Sequence, residues 1–183
     1  MITLAVCGVH EVPRFSQANL TDIVSIGDPS THPELCAPQP PPDFTPFPHT
    51  RIYRFEFQDI CHISPTSPNA EHVGRLIEVA DTLLAAKEDV RVLFHCQAGI
   101  ARSTAAAFML CVRGGLTYQQ AYDHVLRVRG VLNPNMLMMK IADDLMGQGG
   151  KMLGFILMHR WDGAPGNQAA REWAEQNGYP FIT

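Results

Sequence analysis

The stretch Val90-Arg91-Val92-Leu93-Phe94-His95-Cys96-Gln97-Ala98-Gly99-Ile100-Ala101-Arg102-Ser103-Thr104-Ala105-Ala106-Ala107-Phe108-Met109-Leu110 holds three pieces of structure in sequence. Its first five residues are β-branched and apolar around one arginine, the pattern of a buried strand. From Thr104 onward alanine and other strong helix formers dominate. The spacing predicts a strand, a tight loop and a helix N-terminus, and the rest of the fold is read outward from that unit. Such a loop aims backbone N–H groups and the positive end of a helix dipole into one small space, a ready site for an anion. A cysteine at the mouth of that space is favoured as the nucleophilic thiolate. Arg102 supplies a planar fork that matches two oxygens of a phosphate. An oxyanion cradle with a nucleophile on its floor suits phosphoryl transfer.

At 183 residues the chain can bury one full core, with a short appendage at most. An apolar fraction of 46% and a charged fraction of 17% fit a globular protein and exclude a disordered one. The net charge of −4 argues against nucleic acid or an anionic membrane as the main partner. Met1-Ile2-Thr3-Leu4-Ala5-Val6-Cys7 has no basic residue ahead of its apolar run, so it is expected to be a first strand, not a signal peptide. No run reaches transmembrane length. Cys7, Cys36, Cys61, Cys96 and Cys111 show no metal-binding spacing, and the odd count fits reduced thiols in a cytoplasm.

Ile2–Val6 and Ile23–Ile26 are short apolar runs compatible with buried strands. Residues 28–49 carry eight of the fourteen prolines, which predicts an irregular surface loop. Arg51–Phe57 alternates polar and apolar as a half-buried strand. Ser64-Pro65-Thr66-Ser67-Pro68-Asn69 is a turn with helix-start signals, and Glu71–Lys87 follows with helical spacing of Val73, Leu76, Ile77, Ala80, Leu83 and Leu84. The helix after the loop should end at Gly114-Gly115. Thr117 and Gln120 form a capping box for a helix to about Val128, and Pro134 starts another through Met146. Met152–Met158 is an apolar patch, and a short helix is expected from Asn167 to about Gln176. Together these predict an α/β fold, a central, mostly parallel, twisted sheet of about four to five strands flanked by helices, with functional groups beyond the strands' carboxyl ends. Residues 1–147 are expected to form a catalytic-type domain, and 148–183 an extension packed on or beside it.

The string His95-Cys96-x5-Arg102-Ser103, with Gly99 at its centre, resembles the phosphate-binding signature of the cysteine-dependent protein tyrosine phosphatase superfamily. The resemblance extends over about residues 1–147. It implies a phosphatase-like fold and a hydrolase acting on phosphate monoesters of proteins or small molecules, with no cofactor and no metal. Under it Cys96 attacks phosphorus, while Arg102 and the N–H groups of Gln97, Ala98, Gly99, Ile100 and Ala101 bind the substrate's phosphate. Ser103 hydrogen-bonds the sulfur, and His95 is expected to orient the loop. The family takes a general acid from an upstream loop. Asp59 matches best, since it follows a predicted strand and lies 37 residues before Cys96; Asp43, in the Pro-rich loop, is its rival.

Asn135 resembles a family position that supports the signature loop, and a helix-start turn explains it nearly as well. Arg127 and Arg129 are substrate contacts or solvated helix-end charges. Cys7 and Cys61 are free buried thiols, or else oxidative partners of Cys96. His62 and His72 look like surface polar residues. The loop interior has no lysine, which disfavours highly anionic inositol phosphates and points to the compact dual-specificity branch or a small bacterial tyrosine-phosphatase-like protein. The competing functions are a sulfurtransferase, an arsenate-reductase-like enzyme, and a phosphoprotein-binding or scaffold module built on the same anion loop.

Overall fold

The computed structural model describes residues 1–31 and 40–161, with Arg160 and Trp161 by backbone alone. Four runs of apolar and β-branched residues pair into one sheet: β1 (Ile2–Gly8), β2 (Asp22–Gly27), β3 (Arg51–Glu56) and β4 (Val90–Cys96). All pairings are parallel and the spatial order is β1-β4-β2-β3. β4 therefore lies inside the sheet, and six of its seven residues are buried, as a strand covered on both faces requires. Its register with β1 runs from Ile2↔Val90 to Gly8↔Cys96, so both strands end together where the signature loop begins.

Side chains alternate between the two faces. Leu4, Val6, Val24, Ile26, Phe55, Val92 and Phe94 point into the main core. Among the described residues five α-helices bury side chains in that core: α1 (Ala70–Leu84), α2 (Arg102–Arg113), α3 (Tyr118–Arg129), α4 (Met136–Leu145) and α5 (Lys151–Trp161). The opposite face, with Cys7, Ile23 and Leu93, is closed by Val12 of a 3-10 helix (Val9–Phe15) and by Phe47, with Phe44 packed alongside. The end of the Pro-rich segment is thus more than a surface insertion. Two aromatic residues inside the proline-laden run supply the apolar area that covers this face. Residues 32–39, including Cys36, lie outside the described residues.

The helix boundaries follow local chemistry. Asn69 caps α1 by accepting the His72 N–H at 3.0 Å, and Val73, Leu76, Ala80 and Leu83 form its buried stripe. The Thr117–Gln120 capping box opens α3 as expected, with Thr117 N–H donating to Gln120 Oε1 at 3.0 Å. Two elements carry no period that a sequence reading could use. The 3-10 helix is too short and irregular, and Met152–Met158 is apolar at every position. In α5 that patch buries Met152, Leu153 and Ile156, and Asp143 of α4 accepts the N–H groups of Gly150 and Leu153 at 2.5 and 2.9 Å. The short helix expected over 167–176 lies outside the described residues. Among the described residues no helix is long and apolar enough to cross a membrane.

Candidate active site

The loop between β4 and α2 must reverse within five residues while turning its amides inward. Gly99 makes the turn possible. Its φ is +72°, and a Cβ there would stand 2.4 Å from the Cys7 carbonyl carbon and 2.5 Å from the Gly8 nitrogen. Only glycine permits both the left-handed backbone and this approach to β1.

Every carbonyl from Gln97 to Ala101 is held by a donor outside the loop. Val9 N–H donates to Gln97 O at 3.1 Å. Arg129 donates through Nη2 to Ala98 O and through Nε to Gly99 O, both at 2.8 Å. Asn133 N–H donates to Ile100 O at 3.1 Å, and the Thr104 hydroxyl donates to the same carbonyl. Ala101 O accepts from Ala105 N–H at 3.0 Å and Asn135 N–H at 3.3 Å. In a planar trans peptide the N–H points opposite the C=O. Carbonyls pinned outward therefore direct the N–H groups of residues 98 to 102 into the concavity. One of these is seen there: Gly99 N–H donates to Cys96 Sγ at 3.3 Å. Ala101, at the N-cap of α2, makes no side-chain cap, so the first turn of that helix keeps its donors for a ligand.

Cys96 and Ser103 are buried, with Sγ and Oγ 3.2 Å apart. Arg102 is 2% exposed and its roll is fixed by one nitrogen. Nη1 donates to Asp28 Oδ1 at 2.7 Å and to Phe57 O at 2.6 Å. Nε, equally buried, has no partner. An unpaired buried guanidinium N–H is costly unless a ligand meets it. Asp28, at the carboxyl end of β2, is thus a site residue that reading the segment as a Pro-rich loop passed over. Its place just beyond a predicted strand was the available signal.

Asp59 is exposed, and two links bring its loop to the cradle. Phe57 O holds Arg102, and Asn135 Nδ2 donates to Asp59 Oδ1 at 2.8 Å and to Ile60 O at 3.2 Å. Asn135 is itself buried, and its Oδ1 caps α4 by accepting the Met138 N–H at 3.0 Å. It is both the helix-start residue and the joint between the two loops. Asp43 has a different job: exposed, it accepts the Thr45 N–H at 2.8 Å, and Thr45 holds its carboxyl below the usual carboxylate range.

Strand alternation sets the His95 ring on the face opposite Cys96. There it is buried, 6.2 Å from the Phe44 ring; burial pushes it down to about 4, against the opposing effect of a hydrogen bond with the Cys96 backbone. Cys7 also points away from Cys96, and burial pushes its thiol up to about 12. Cys7, Cys61, Cys96 and Cys111 form no disulfide. His72 is half-buried against Phe57, with ring centroids 5.0 Å apart, whereas His62 and Arg127 are exposed. Arg129 is no solvated helix end: its third nitrogen, Nη1, pairs with Glu11 Oε2 at 2.8 Å. The same oxygen accepts Gly8 N–H at 2.7 Å, a bond that, with Arg129, holds the Glu11 carboxyl below its ordinary range.

No protein-family model matches the chain, and no curated protein matches it in sequence. Solved structures do share its fold. Human DUSP28 superposes with a TM-score of 0.56 at 19% identity, covering 79% of this chain and 94% of that one. The human tyrosine phosphatase-like serine/threonine/tyrosine-interacting protein gives 0.52 at 20% identity, covering 78% and 87%. A mouse putative dual specificity phosphatase complexed with zinc tungstate gives 0.54 at 17% identity, covering 81% and 86%. The fold, a parallel sheet flanked by helices, is the one these phosphatase and phosphatase-like structures share.

Proposed function

We propose that the chain is a cysteine-dependent phosphatase of the dual-specificity type, hydrolysing phosphate monoesters of phosphotyrosine or other phosphoprotein substrates. The observation that carries this reading is the set of five outward-pinned carbonyls around Cys96 Sγ, beside a buried Arg102 Nε without a partner. Inward amides and an unpartnered guanidinium nitrogen match the equatorial phosphoryl oxygens, where charge must be held as the bond to phosphorus exchanges. The tungstate in the similar mouse structure is an oxyanion of the same shape, and it supports the reading.

In the first step Cys96 Sγ attacks phosphorus in line. The S–P bond forms as the ester P–O bond breaks, and Asp59 gives its proton to the departing oxygen. In the second step Asp59 takes a proton from water as that water attacks phosphorus and the S–P bond breaks, releasing phosphate. Ser103 then stabilises the sulfur as it leaves. Asn135 keeps the acid over the cradle in both steps.

A second reading, a phosphoprotein-binding module without turnover, is favoured by the likeness to a tyrosine phosphatase-like interacting protein. Aryl phosphate turnover separates the two. The enzyme reading predicts activity in the wild type, none in Cys96→Ser, and a loss in Asp59→Asn that grows as the leaving group becomes poorer. Tungstate binding without turnover in the wild type would favour the binding module.

A further inference from the structure

We propose that Arg129, held by Glu11, is a positioning residue that sets the orientation of the cradle's amides. The proposal deepens the phosphatase reading and rests on it. A five-residue loop with a glycine at φ +72° has a particular weakness. The peptides on either side of such a glycine can flip, interchanging C=O and N–H, because glycine tolerates both signs of φ. A flip at Ala98–Gly99 or Gly99–Ile100 would aim a carbonyl at the phosphate and remove an amide from it.

Arg129 holds both of those peptides and none of the others. Nη2 takes Ala98 O and Nε takes Gly99 O, each at 2.8 Å, leaving the Gly99 and Ile100 N–H groups on the inner side. The Gly99 N–H contact with Cys96 Sγ at 3.3 Å shows the result for the first peptide. The third nitrogen is anchored on Glu11, and through the Gly8 N–H on that same carboxylate the clamp is tied to the end of β1. Position supports the role too. Arg129 is the last residue of α3, and Gly130, left-handed at φ +76°, stops the helix there. The side chain can then reach the outside of a loop thirty residues earlier in the chain. Three N–H bonds in three directions within one plane need a guanidinium, and an ammonium cannot reproduce them.

A residue behind the loop acts on any bound oxyanion alike, whereas a residue touching the substrate body acts only on larger substrates. The test therefore uses inorganic tungstate, titrated by calorimetry into Cys96→Ser, alongside aryl phosphate kinetics on the otherwise wild-type protein. Arg129→Met is expected to weaken tungstate binding and kcat/KM by about 10- to 100-fold, short of the roughly 100- to 1,000-fold that removing an oxyanion donor outright costs. Arg129→Lys should restore little of it. Glu11→Gln, which keeps an acceptor for Gly8 but loses the charge, should cost about 3- to 10-fold. Exchange of the Gly99 and Ile100 amides should quicken in Arg129→Lys even where the melting temperature is unchanged. Unaltered tungstate affinity in both Arg129 variants, or full rescue by lysine, would overturn the proposal alone. A wild-type protein that neither binds tungstate nor turns over aryl phosphate would overturn the phosphatase reading beneath it.

Discussion

Replacing Gly99 by alanine tests the cradle's geometry with one methyl group. The added Cβ would meet three backbone atoms of β1, namely Cys7 C at 2.4 Å, Gly8 N at 2.5 Å and Cys7 O at 2.6 Å. None can yield cheaply, because Cys7 and Gly8 are locked in register with His95 and Cys96 in the sheet. The left-handed backbone costs a non-glycine residue about 1–2 kcal/mol, and overpacking adds about 1–3 kcal/mol. The sum, about 2–5 kcal/mol, corresponds to a drop in melting temperature of roughly 5–15 °C for a chain of this size. If the loop recoils to relieve the clash, stability is partly kept and the amides leave their places, so turnover and tungstate binding fall instead. Gly115→Ala is the control: its φ is +92° but nothing lies within 4 Å of its Cβ, so it should show the backbone cost alone. Scanning calorimetry with tungstate titration reads both losses. A Gly99→Ala protein that melts within about 2 °C of the wild type and binds tungstate normally would refute the close approach to β1.

Asp28→Ala should destabilise the fold by about 3 kcal/mol in denaturant titration, since it orphans a buried guanidinium; a change below about 0.5 kcal/mol would mean that the ion pair is not held in solution. Stability should fall as pH drops from about 6.5 to about 4, the window between the ordinary and the burial-lowered value of His95. The sign follows because the unfolded chain binds the proton first. The neutral ring's contribution, on the order of 3 kcal/mol, is complete above that window and lost below it. His95→Gln should flatten the melting temperature across the same range, and an unchanged slope would place the acid sensitivity elsewhere. Asn135→Ala should lower kcat more than it changes KM, because it frees Asp59 without touching the phosphate cradle, and it should cost about 1 kcal/mol for the lost cap of α4. A pure KM effect would contradict its place behind the acid.

The parts of the site that follow one another along the chain were legible in the sequence. β4, the loop and α2 show as a β-branched run, a Cys-x5-Arg string and a row of alanines, and local propensity agreed with the tertiary role. Asp59 drew attention by its place after a strand, and Asp28 carried the same signal beneath the prolines that follow it. Glu11 and Arg129 carried none, because each acts through a partner 118 or 30 residues away. A charge at a helix end looks the same in sequence whether water or a loop carbonyl receives it. His95 and Cys96 are neighbours in sequence but not in facing, because the strand's period of two sends adjacent side chains to opposite faces.

The central claim is that Cys96 carries the phosphoryl group between two displacements. Rapid quenching of Asp59→Asn during turnover of an aryl phosphate with a good leaving group, followed by peptide mapping, measures this directly. The account predicts one phosphoryl group on the peptide containing Cys96, released as phosphate on standing and missing in Cys96→Ser. Turnover persisting in Cys96→Ser, or a phosphoryl group recovered on any other residue, would contradict it.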